Sequence, residues 1–143
     1  MINPISASQL IIRFIPGITF LLEGIQKFLY ASTIGVGKFT EIGIPHPGFW
    51  APFVGVVEIV FGAMLIIGLF TRLATIPLLI DMAVAFIYTK WPILASKGFL
   101  PMFHEYRTDY AMTLSLISLL ITGAGYYSLD RVLQEHKKNG LTS

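Results

Sequence analysis

Six ionisable residues stand inside stretches that are otherwise apolar: Arg13, Glu23, Lys27, Glu58, Asp81 and Asp109. Glu23 and Lys27 are four positions apart, so on a helix they share a face and are placed to pair. Glu58 has no base within its own stretch. Four acids therefore face one lysine, with Arg107 at the rim, and an unpaired buried carboxylate takes up a proton. At least one of the four is expected to be neutral at pH 7 unless a cation or a ligand donor is present. Such a carboxyl donates a hydrogen bond to a carbonyl or relays a proton. Glu58, Asp81 and Glu23 are the expected proton-exchanging groups. Lys27, Asp109, His46, His104, Trp50 and Arg107 are the expected ligand-binding residues, the two histidines completing a wet proton path. Plainer readings stand beside these. Glu23 and Lys27 serve equally as a structural pair, Asp109 as a first-turn residue favoured by the helix dipole, Asp81 as a partner of a nearby hydroxyl, and the histidines as loop residues. No HxxxH or HxxE spacing supports a metal site, and none is expected.

The elements that must position these groups follow from composition. The 143 residues are 55% hydrophobic and only 13% charged, against about 25% charged in a soluble domain. A soluble chain this short needs more polar surface to cover a core, so a bilayer protein is expected. The net charge of +2 comes with no basic run, which argues against nucleic-acid binding. Cysteine is absent, which removes disulfide exchange, iron–sulfur clusters and Cys-based zinc sites from this chain. The polar start, MINPISASQL, has no basic region or cleavage signature, so no removable signal peptide is expected.

Four apolar runs, about 9–30, 49–69, 72–91 and 108–127, approach the roughly 20 residues that cross a hydrocarbon core. Without alternation, runs of that length indicate helices. The expected fold is all-α: a single domain over 1–143, an integral membrane up-down four-helix bundle with a basic tail over 129–143. Gly43 to Gly48 and Gly68 to Thr71 break the runs. The apolar link around Phe99 to Phe103 is expected along the membrane surface. At a rise of about 1.5 Å per residue, counted from the side of the longer loops, Lys27 lies about 5 Å deep and Glu23 about 10 Å. Glu58 and Asp81 then lie about 13 and 15 Å deep, and Asp109 only 2–3 Å. A charge costs at least about 2.5 kcal/mol at a bilayer centre, so these groups should face one another or a wet cavity. Arg13 sits toward the opposite end and is expected to snorkel. Gly24, Gly55 and Gly62 suggest that the first two spans pack closely. Lys and Arg divide evenly between the two sides; the tail cluster favours both termini in the cytoplasm. Tyr and Trp near the span ends form an aromatic belt.

A series of elements along the chain points to a family. They are Arg13, Glu23-Gly24 with Lys27, Gly43-Ile44-Pro45, Glu58 with Gly62, Gly68-Leu69 and Thr71-Arg72. Met82-Ala83 and the run from Gly123 to Asp130 complete it. Their order and spacing, over nearly the whole length, resemble the DoxX family of small four-span membrane proteins. The resemblance implies an inner-membrane bundle. Some relatives are linked to quinone-dependent oxidation of sulfur compounds or to redox-stress complexes, others in the wider group to cargo reception or assembly. With no cysteine here, sulfur chemistry needs a partner subunit. Thr71-Arg72 reads as a helix cap followed by an anchor, and Ser128 or Asp130 as the cap of a short tail helix.

The leading expectation is a quinone-interacting subunit of a membrane oxidoreductase, with electrons supplied by a redox partner or substrate, because no haem, flavin or metal motif is present. Membrane lipid and a second copy are the other expected partners. Whether the chain is itself an enzyme stays open. A proton-coupled carrier of a small molecule and a non-catalytic scaffold or assembly factor are the alternatives.

Overall fold

Asn3 opens the first helix: its side-chain oxygen accepts the Ile5 N–H at 3.0 Å, and Pro4 follows at the first helical position, where a missing N–H costs nothing. The computed structural model describes residues 3–141. Positions 1, 2, 142 and 143 of the expected domain, the last two in the expected tail, lie outside the described residues. Helix α1 runs Pro4–Leu29, α2 Val36–Glu41 and α3 Pro47–Ile67. Helix α4, Thr71–Ala85, continues through a π-helical turn, Phe86–Lys90, into α5, Trp91–Lys97. Then come α6, Phe99–Thr122, and α7, Leu129–Gly140. The described residues contain no strand.

Among the described residues, three segments are long and apolar enough to cross a membrane: α1, α3 and the continuous rod Thr71–Lys97. Helix α6 has 24 residues, but Glu105, Arg107 and Asp109 make its first half polar. The four long elements close into a ring, α1 against α3 and α6, and α4 against the same two. Phe20, Leu65, Leu78, Leu116 and Leu119 fill its middle. Helices α1 and α3 pack backbone to backbone, as their small residues suggested. A Cβ on Gly24 would lie 2.6 Å from the Gly55 carbonyl oxygen, and one on Gly62 2.8 Å from the Leu21 nitrogen.

Several expected boundaries move. The third run extends past Pro92, because that proline falls in the first turn of α5, where the ring is tolerated. The segment around Phe99 to Phe103 is helical and not a separate link. It forms the start of α6, directly after Gly98 at φ 90°, and Met102 within it is buried. The fourth helix ends at Gly123, φ 77°, rather than near Tyr127.

The end nearer the chain termini is tied by two residues. Arg13 does not snorkel. Its Nη1 donates to the Ala124 carbonyl at 2.7 Å and its Nη2 to the Tyr127 carbonyl at 2.8 Å, with the residue 2% exposed. The break at Gly123 leaves these carbonyls without helical partners, and a buried guanidinium satisfies them. Asp130 caps α4 rather than α7. Its carboxylate accepts the Phe70 N–H at 2.6 Å and the Thr71 N–H at 3.0 Å. The cap position of α4 is thus Phe70, in the left-handed region at φ 44°, and not Thr71. Ser128 caps α7, accepting the Arg131 N–H at 3.3 Å.

Candidate functional site

The other end of the ring holds the ionisable groups. Lys27 Nζ donates to Glu58 Oε2 at 2.7 Å, and the two side chains are only 10% and 5% exposed. The expected pairing of Lys27 with Glu23 on its own helix does not form. The glycine seam brings the α3 backbone close enough that the Glu58 Cβ lies 3.0 Å from where a Gly24 Cβ would stand. Glu58 is buried and needs a cation. Glu23 is exposed toward the open space and does not.

Asp81, from α4, lies within interaction range of both Glu58 and Lys27, and Asp109 and Glu23 act on it through space. All five groups line one cavity of about 410 Å³. Phe20, Met82 and Met112 form apolar parts of its wall. Phe39 of α2 and Ile42 and Ile44 after it lie over one side. Burying Phe39 is what holds this six-residue helix against the bundle.

Two cations that residue types and spacing did not reveal belong here. Lys90 Nζ sits 3.5 Å from Asp109 Oδ2. The π-helical turn ends at this lysine. A π turn shifts the phase of the residues that follow, and Lys90 comes to face α6. No periodicity in the sequence signals that shift. Lys38 of α2 also lines the cavity while pairing with Glu41 at 3.2 Å. The charge imbalance is therefore smaller than residue counting implied. Glu58 and Asp109 each hold a lysine, whereas Glu23 and Asp81 have no ion pair among the described residues.

The remaining expected residues lie elsewhere. His46 is exposed and opens α3 at φ 50°. Arg107 donates to the His104 ring at 2.9–3.0 Å on the exposed surface of α6. None of the three lines the cavity. Trp50 lines an adjoining apolar groove of about 590 Å³. Among the described residues, no three His, Cys, Asp or Glu side chains converge closely enough to hold a metal ion.

A family model described as DoxX matches residues 8–91. The chain belongs to the DoxX family. The matched stretch of this DoxX protein carries Arg13, Glu23, Lys27, Glu58, Asp81 and Lys90, and leaves out Asp109. The chain is 48% identical over 134 residues to a Mycobacterium tuberculosis protein named "Uncharacterized membrane protein Rv3486", covering 90% of this chain and 82% of that one. It is 30% identical over 136 residues to the Bacillus subtilis protein named "Putative oxidoreductase CatD", covering 94% and 92%. An uncharacterized protein of Haemophilus influenzae is 31% identical over 121 residues, covering 83% and 85%. No solved structure matches. This DoxX protein is thus an all-helical membrane protein whose relatives share most of their length with it.

Proposed function

We propose that this DoxX protein is the quinone-interacting subunit of an oxidoreductase in the inner (plasma) membrane. It is a four-span bundle with both termini in the cytoplasm. The buried Lys27–Glu58 pair beside Asp81, in a sheltered cavity, carries the reading. A quinone ring needs apolar walls and a hydrogen-bond donor for its carbonyl. Phe20, Met82 and Met112 supply such walls, Lys27 is a donor, and Asp81 donates whenever it carries a proton. The name of the Bacillus subtilis relative is consistent with redox chemistry.

When bound, a quinone supplies the electron-accepting chemistry, and a partner subunit with its own redox cofactor delivers the electrons. The residues of this chain handle position and protons. Lys27 holds Glu58 in place and polarises a ligand oxygen. Asp81, which has no ion pair of its own, gives and takes the proton, and Glu58 exchanges with it. Glu23, exposed at the cavity, connects that exchange to the surface.

Native mass spectrometry of the chain purified in mild detergent tests this. Retained quinone is expected, with retention falling in Glu58→Gln and in Asp81→Asn, the second of which leaves the ion pair in place. No retained quinone, or retention indifferent to both substitutions, overturns the reading. Uptake of a small solute driven by a pH gradient in proteoliposomes would favour a carrier instead.

A further inference from the structure

Asp81 borders two spaces. One is the charged cavity; the other is the apolar groove between α3 and α4. The two share Ile44, Val54, Asp81 and Val84 in their linings. The two spaces therefore meet at these four residues. The outer side of the groove carries Trp50, Phe53 and Ile80, each 40% exposed or more. Both α3 and the α4 rod are long and apolar enough to span a bilayer. The groove therefore opens toward acyl chains, not toward water, and its inner end is a carboxylate.

From the structure we infer that the charged cavity is reached sideways from the bilayer between α3 and α4. It takes an amphiphile whose hydrogen-bonding ring sits beside Asp81 and whose apolar chain lies in the groove. The inference rests on the quinone reading for the identity of the ring, but not for the groove itself. A chain that moves from lipid into an apolar groove gives up little solvation, because both surroundings are apolar. A ring that moves inward past Val54 and Val84 meets hydrogen-bonding groups that the hydrocarbon lacks. The route over α2 is less favourable, because buried Phe39 and the neighbouring Ile42 cover it. The two spaces, about 410 and 590 Å³, are each large enough to admit part of such a ligand, since whole ligand sites run to roughly 300–1,000 Å³.

The test uses the full chain in phosphatidylcholine vesicles and two photoreactive probes with a diazirine at the end of a decyl chain. One probe bears a benzoquinone ring, the other only a hydroxyl. Labelled positions are read by peptide mass spectrometry. The quinone probe is expected to label residues 50–57 and 80–88 roughly tenfold above the outer face of α6, and unlabelled decylbenzoquinone is expected to displace it. Val84→Phe, at a position 40% exposed and lining both spaces, should remove that excess. Ile80→Trp, 60% exposed, is the second variant, and neither adds bulk to the core. Label spread evenly over the lipid-facing helices, as bulk lipid would give, overturns the inference even if quinone is retained in native mass spectrometry. Groove labelling by the hydroxyl probe, unaffected by decylbenzoquinone and lost in Val84→Phe, supports the groove while overturning the quinone reading.

Discussion

Lys27 on α1 and Glu58 on α3 meet at 2.7 Å, both side chains buried, across a seam where glycines let the two backbones touch. Removing one partner of such a pair leaves an uncompensated buried charge, at a cost of about 3–5 kcal/mol, whereas replacing both by apolar groups is often nearly neutral. Lys27→Met is therefore expected to lower the thermal midpoint sharply. Adding Glu58→Leu to the same chain should recover most of the loss. Circular dichroism of detergent-solubilised protein during heating checks both. A double variant as weak as the single one would mean that the two groups are not held by each other.

The seam itself makes a second prediction. Gly62→Val puts a Cβ 2.8 Å from the Leu21 backbone nitrogen, and no rotamer change relieves a clash with backbone. The helices must separate, at a cost of about 1–3 kcal/mol or more, and the Lys27–Glu58 contact should open with them. Gly48→Ala is the control, since nothing lies within 4 Å of its would-be Cβ. Thermal midpoints of the two variants should differ clearly, with Gly48→Ala close to the parent.

Much of this arrangement is legible in the sequence, because intramembrane charge is costly wherever it sits. The cost of leaving a charge among acyl chains draws Glu23, Lys27, Glu58, Asp81 and Asp109 toward one space, and glycines near Glu58 mark which spans approach. What residue spacing does not specify is partner choice. Spacing on one helix favours Lys27 with Glu23, but Glu23 has open space and Glu58 does not, so the lysine crosses to α3. Lys90 reads as a loop charge until the π-helical turn rotates it toward Asp109. Asp130 reads as a local cap, yet it closes a helix some 60 positions away. Helical periodicity reports which face a residue occupies. It carries no information about groups brought together by chain reversal or by a change of helical phase.

Asp130 leads to a third prediction. Its carboxylate takes the N–H groups of both Phe70 and Thr71, and Phe70 is held at φ 44°. Losing a helix cap costs about 0.5–2 kcal/mol, and a left-handed conformation costs a non-glycine residue about 1–2 kcal/mol. Asp130→Ala is expected to lower the thermal midpoint and speed tryptic cleavage after Arg131. Phe70→Gly in the same background should restore part of the midpoint by removing the conformational cost. It should not restore protection at Arg131, because the carboxylate's two bonds from α7 to the start of α4 stay lost and only the 2.9 Å backbone bond from residue 130 to the Gly68 carbonyl remains. Recovery of both by the glycine would show that the carboxylate only relieves strain.

The topology of α6 decides where the charged cavity stands in the bilayer. Its first half carries Glu105, Arg107 and Asp109, yet its second half packs against α1 and α4 in the core. The absence of cysteine makes this directly measurable, since a single introduced thiol has no background. Ser32→Cys, after α1, and His104→Cys, early in α6, are expected to react with a membrane-impermeant maleimide from outside intact cells. Lys137→Cys on α7 should react only after the membrane is opened. If His104→Cys and Lys137→Cys react from the same side, α6 does not cross. The Lys90–Asp109 pair would then sit on the same side as the tail, and the four-span topology would fall.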